Sequence, residues 1–141
     1  MADQDARELL GKAGIEPTAC RLRVLKAIAA SPAPLQAQEI LDIFPPERAM
    51  NRVTLYRILD LLVEKELVWR HSGGDRVFRY CLADRSHGVR CHFYCTSCRE
   101  MRCLRGSQVP DEVARLKREG ELEVHSVEIR LDGVCEECRG G

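Results

Sequence analysis

The chain has 141 residues and a mass of 16.0 kDa, enough for one ordinary domain or two very small ones. Apolar residues make up 45% and charged residues 31%, a balance that excludes a disordered chain. Lys+Arg and Asp+Glu number 22 each, so the net charge is zero; a polycationic coat protein is excluded, but a local basic face for DNA is not. No apolar run approaches the roughly 20 residues of a membrane span. The opening MADQDARELL carries acids and no long apolar core, so neither a span nor a secretory signal is expected and the expected location is the cytoplasm.

In chain order, Leu9 and Leu10 begin a helical apolar pattern that breaks at Gly14. Pro17-Thr18 starts a second helix, with Arg21, Leu22, Val24, Leu25 and Ile28 at helical spacing. Residues 31–34, Ser-Pro-Ala-Pro, stop it. Helix is expected again over 35–41 and ends at Pro45-Pro46. Asn51 caps a long helix, expected to pack through Val53, Leu55, Tyr56, Ile58, Leu59, Leu61, Leu62 and Val63. Residues 67–71 and 76–81, around Ser72-Gly73-Gly74-Asp75, read as a β-hairpin.

Helices followed by a hairpin give a winged helix-turn-helix, assigned to residues 1–82. Residues 83–91 are polar and read as a hinge. Residues 92–141 form a small second unit: strands over 92–95, 100–104 and 123–131, a helix from Pro110 to Glu119, and a turn at Asp132-Gly133. The expected fold class is α+β, a winged helix-turn-helix followed by a small αβ domain.

Eight cysteines stand out, and seven lie at Cys81 or later. A secreted disulfide scaffold would spread them along the chain, so an intracellular metal protein is the better reading. Cys95-x-x-Cys98 pairs with Cys135-x-x-Cys138. Each turn can aim two thiolates at one ion, and two turns complete a tetrahedral shell that suits structural Zn2+. Redox dithiols are the competing reading.

His71, Cys81, His87, Cys91, His92, Cys103 and His125 cluster around the hinge and point to a second metal site. Singly, each has a plainer reading: His71 as a solvated imidazole, His125 as a packed one, Cys103 as an apolar filler. Cys20 reads as a packed thiol. Asn51 to Arg57 opens a helix whose first turns suit the major groove: Arg52 and Arg57 toward guanine edges or phosphates, Thr54 and Tyr56 toward phosphate or a thymine methyl. Lys12, Arg21 and Arg23 are candidates for phosphate contacts.

The stretches 14–25 (GIEPTACRLRVL), 37–41 (AQEIL), 51–62 (NRVTLYRILDLL), 92–98 (HFYCTSC) and 132–138 (DGVCEEC) resemble, in this order, the ferric uptake regulator family. The resemblance runs from about Leu9 to Cys138. It implies a dimeric, metal-sensing bacterial transcription regulator with a C-terminal dimerisation domain holding structural zinc, and it implies DNA contacts by Tyr56 and Arg57. The run 86–92 (SHGVRCH) lacks the His-rich segment of the iron and peroxide sensors, and the family's later His aligns with Val127, two residues past His125. Cys81, just after the hairpin, is similar to the zinc uptake regulator branch, and Cys103 stands about where that branch has a carboxylate.

The resemblance therefore implies a sensory zinc drawing on His71, Cys81, His87, His92 and Cys103, with Cys91 in reserve as a ligand or redox thiol. Fe2+ or Mn2+ at the second site, or iron, peroxide or thiol-redox sensing, are the alternatives. The implied function is repression of zinc-uptake genes by a homodimer on double-stranded operator DNA, with no membrane and no small-molecule substrate beyond metal ions. No enzyme is expected: there is no His-Glu-x-x-His and no βαβ setting for a redox Cys-x-x-Cys.

Overall fold

A computed structural model describes residues 1–83, 89–104 and 109–140. The chain divides into two compact units, Met1–Ala83 and Asp84–Gly141. No helix among the described residues is long and apolar enough to cross a membrane.

In the first unit, α1 (Asp3–Lys12) ends before Gly14, whose φ of 75° favours glycine. Helix α2 (Ala19–Ala30) is capped by Thr18, whose hydroxyl accepts from the Arg21 N–H at 3.4 Å. Residues 35 and 36 are not helical, contrary to the sequence expectation. They form a short strand β1 (Leu35–Gln36) because β3 offers ladder partners, Leu35 opposite Tyr80 and Gln36 opposite Arg79. Helix α3 (Ala37–Ile43) starts only at Ala37, closed by a capping box in which the Gln36 N–H donates to Glu39 Oε1 at 3.0 Å.

A 3-10 turn over Pro46–Arg48 leads to α4 (Arg52–Glu64). Asn51 Oδ1 accepts from the Thr54 N–H at 2.7 Å, which sets where α4 begins. Strands β2 (Val68–Ser72) and β3 (Phe78–Leu82) form the antiparallel hairpin, and β1 joins on the far side of β3. Leu10, Leu25, Ile40, Leu55, Leu59, Leu62, Val68 and Tyr80 are buried together in one core. Each such apolar side chain contributes about 1.5–3 kcal/mol by leaving water. Val53 and Tyr56, expected to pack inside, are 60% and 39% exposed. They lie away from the face that carries Leu55, Leu59 and Leu62, so the apolar stripe of α4 is narrower than its composition suggests.

The turn of the hairpin is braced by an ion pair. Arg79 is buried, and its two guanidinium nitrogens donate to Asp75 at 3.0 and 2.8 Å. The Arg79 hydrogen bonds hold the Asp75 carboxyl down from 3.8 to about 2. A depressed folded-state pKa gives stability that is complete above the unfolded value and is lost as pH falls through the folded one. Replacing Asp75 by Asn is therefore expected to cost about 2 kcal/mol at pH 7. Urea unfolding should show that difference shrinking between about pH 4 and pH 2; a difference that stays constant with pH would contradict the pairing.

In the second unit, β4 (Val89–Cys95) lies between β5 (Met101–Cys103) and β6 (Val127–Gly133). β4 runs antiparallel to β5 and parallel to β6. Residues 89–91, expected in the hinge, are strand, since the β6 ladder already begins with Val89 opposite Val127. The last strand also sits later than expected. Asp132 and Gly133 pair with Tyr94 and Cys95 instead of turning, while residues 123–126 lie outside the sheet. Helix α5 (Val109–Gly120) and the short α6 (Glu136–Arg139) complete the unit.

Candidate metal centre and nucleic-acid interface

Cys95 ends β4 and Cys98 follows after a tight turn, closed by the Arg99 N–H donating to Cys95 O at 2.9 Å. Arg99 takes the left-handed φ of 65° that the turn needs. Cys135 precedes α6 and Cys138 lies within it. The parallel ladder aligns the two turns, because Cys95 pairs with Gly133 and the Thr96 N–H donates to Gly133 O at 2.8 Å. The Arg102 guanidinium adds a tie to the Glu136 carboxylate, at 3.0 and 3.1 Å.

The four sulfurs of Cys95, Cys98, Cys135 and Cys138 all lie within 4.8 Å of one another, with Cys98 and Cys135 at 3.9 Å. A tetrahedral zinc with Zn–S bonds of about 2.3 Å spaces its sulfurs about 3.8 Å apart, so this donor set fits the ion. The backbone N–H groups of Cys98 and Cys135 donate to Cys95 Sγ at 3.5 and 3.4 Å and hold that thiol down to about 6. Cys138 is pushed up to about 12, first by its hydrogen bond to Cys135. Thiolates this close repel, and a divalent cation at their centre removes the repulsion. Four protein ligands leave no open position, so such a site is structural.

His71 and Cys81 face each other diagonally across the β2–β3 hairpin, His71 Nε2 at 3.3 Å from Cys81 Sγ. His71 is only 1% exposed, which overturns its reading as a solvated imidazole; it lies on the face of β2 opposite the core residue Val68. In the second unit His92 is fully buried at the centre of the sheet, directly opposite Cys103 on β5. An imidazole nitrogen of His92 and a carboxylate oxygen of Glu128 also lie within 4.8 Å. Sequence reasoning did not select Glu128; the signal available was its place on the last strand, next to Val127.

Burial raises the Cys91 thiol, and the neighbouring Cys103 raises it further, which leaves Cys91 protonated at neutral pH. His125 is neither strand nor packed; it is exposed, 3.7 Å from Glu123. His87 lies outside the described residues.

Among the DNA-contact candidates, Arg21, Thr54 and Arg57 line one cleft of about 270 Å³, together with Thr18, Cys20, Ile58 and Leu61. The half-buried Cys20 packs against the core there, as expected of a packed thiol. Arg57 and Tyr56 are exposed near the start of α4. Arg52 donates to Gln38 Oε1 and so ties α4 to α3. Arg23 donates to Arg48 O and lies over the Phe44 ring at 4.4 Å, a bracing role. Lys12 is exposed at the end of α1.

A winged helix joined to a small αβ unit with a four-cysteine metal centre defines a class of metal-dependent DNA-binding regulator. The model of the ferric uptake regulator family matches residues 12–132, and the chain belongs to that family. Its members are transcription regulators rather than enzymes. No curated protein matches the chain.

Solved structures share the fold. The ferric uptake regulator of Helicobacter pylori, described with three functional metal-binding sites, is 18% identical at a TM-score of 0.78, covering 99% of this chain and 95% of its own. That of Pseudomonas aeruginosa with manganese is 21% identical at 0.77, covering 96% and 99%. A zinc uptake regulator complexed with zinc and DNA is 22% identical at 0.70, covering 98% and 93%.

Proposed function

We propose that this chain is a zinc-responsive repressor of zinc-uptake genes, acting as a homodimer in the cytoplasm with one structural and one regulatory zinc per chain. The observation that carries the reading is the buried His71–Cys81 pair, 3.3 Å apart. An imidazole beside a thiol is a borderline-soft donor pair, which suits zinc better than Fe2+ or Mn2+. The proposed sensory ligands are His71, Cys81, His87, His92 and Cys103; the structural ligands are Cys95, Cys98, Cys135 and Cys138. The dimer reading draws on β6, an edge strand of its sheet, where Leu131 is 49% exposed.

Zinc selects the conformer of the dimer whose two α4 helices match half-sites about one helical turn apart, or a small multiple of that. By linkage, zinc raises DNA affinity and DNA raises zinc affinity by the same factor. Lys12, Arg21, Arg52, Thr54, Tyr56 and Arg57 make the DNA contacts in this reading. Replacing Arg57 by Ala is expected to weaken specific binding by about 1–3 kcal/mol. A gel-shift titration against non-specific competitor reads this, and unchanged binding would remove α4 from the interface.

One observation favours a second reading. The His92–Glu128 pair is an imidazole and a carboxylate, donors that suit Fe2+ or Mn2+. Native mass spectrometry of protein purified without oxygen, with elemental analysis, separates the two. Two zincs per chain in a dimer, one removed by a mild chelator, supports zinc sensing. One tight zinc with exchangeable iron or manganese moves the function to that branch. One zinc with readily oxidised thiols makes redox the signal.

A further inference from the structure

We propose that Val53 reads a thymine methyl group in the operator, an assignment that rests on the DNA-binding reading of α4. Val53 is the second residue of α4 and is 60% exposed. It lies on the face opposite Leu55, Leu59 and Leu62, all of which are fully buried. On that outward face it falls between Tyr56 and Arg57, three and four residues later. The three form one continuous surface at the end of the helix that faces a groove in this reading.

A β-branched residue here has no helical advantage. Its side chain is stiff, its helix propensity is below that of alanine, and its exposure gives no burial in return. A stiff apolar side chain on the base-reading end of a recognition helix matches one chemical feature of the major groove, the C5-methyl group of thymine. The neighbouring acid does not oppose DNA there, because Asp60 on the same face lies 3.5 Å from the Arg70 guanidinium.

The probe is the duplex that zinc-loaded, full-length protein recovers from a random-sequence library. Each thymine is replaced singly by deoxyuridine, which removes the methyl group and leaves base pairing intact. The wild-type protein should lose about fourfold in affinity at one position per half-site, the value of one buried methyl-sized group. Val53→Ala should bind the thymine and deoxyuridine duplexes equally at that position and keep its discrimination elsewhere. Alanine keeps the helix at an exposed position, and circular dichroism verifies this. A wild-type methyl preference that persists in Val53→Ala, or no methyl preference at all, overturns the assignment while α4 remains the reading helix. A protein that recovers no sequence from the library removes the DNA-binding reading with it.

Discussion

Serine in place of Cys135 is expected to release the structural zinc and unfold the second unit. Cys135 is buried, its N–H donates to Cys95 Sγ, and its own sulfur lies 3.9 Å from Cys98. Serine keeps the backbone N–H but removes the sulfur, which breaks the tetrahedron and the contact with Cys98. Zinc held by such a shell is worth about 10–16 kcal/mol in small zinc domains, as much as an ordinary domain's whole stability of about 5–15 kcal/mol. The second unit has little to set against that loss: α5 is exposed along most of its length, and only Tyr94, Cys95, Met101, Cys135 and His92 are buried among its described residues. The expected result is one zinc fewer per chain, loss of the dimer in size-exclusion chromatography, and retained helical signal from the first unit. A Cys135→Ser protein that keeps its full zinc content and its dimer would show that the four sulfurs do not share an ion.

Cys81→Ser should have the opposite profile: an intact fold and a lost response. Cys81 lies in β3, and serine preserves the strand and nearly the volume, so the hairpin core around Tyr80 and Val68 stays packed. What disappears is the sulfur 3.3 Å from His71 Nε2. Removing groups that only support a metal ligand already costs about 10- to 100-fold in affinity, so removing the ligand itself should cost about 100-fold or more at the regulatory site. The variant should still hold its structural zinc, melt near the wild-type temperature, and bind operator DNA no better with added zinc than without. Zinc-dependent DNA binding that survives the substitution would place the regulatory ion elsewhere, and His92 with Glu128 would become the pair to alter next.

The two Cys-x-x-Cys turns were legible in the sequence because their chemistry is local. Two residues between thiols set the geometry of a turn whatever surrounds it, and the structure closes both turns as expected. The start of α4 was legible for the same reason, since the Asn51 cap acts only three residues along. Long-range pairing was not legible. The strand at 35–36 exists because β3 offers it partners 43 to 45 residues away, and helical spacing over 35–41 gave no hint of that. The shift of β6 toward Gly133 has the same origin, as the ladder with β4 overrides the turn signal of Asp132-Gly133.

Burial on α4 was misread in one direction only. Val53 and Tyr56 look like core by composition, and their outward placement is fixed by the phase of the helix relative to Leu55 and Leu59. Glu128 escaped because a carboxylate on a strand has no spacing rule of its own; only register brings it within reach of His92.

The parallel pairing of β4 with β6 has a consequence for how the second unit comes together. Val89 and Val127 are neighbours in the sheet but 38 residues apart in the chain, with β5 and α5 between them. Closing so long a loop to form parallel strands is slow, since the entropy of closure comes before any contact rewards it. The cysteine pairs sit at the far end of that same ladder, next to the Cys95–Gly133 register point. An ion captured by both pairs in the unfolded chain would hold the strands in register before the sheet exists. Such an ion would act on the rate at which the unit forms as well as on its final stability, so refolding of the metal-free chain is expected to be slower than refolding with zinc added.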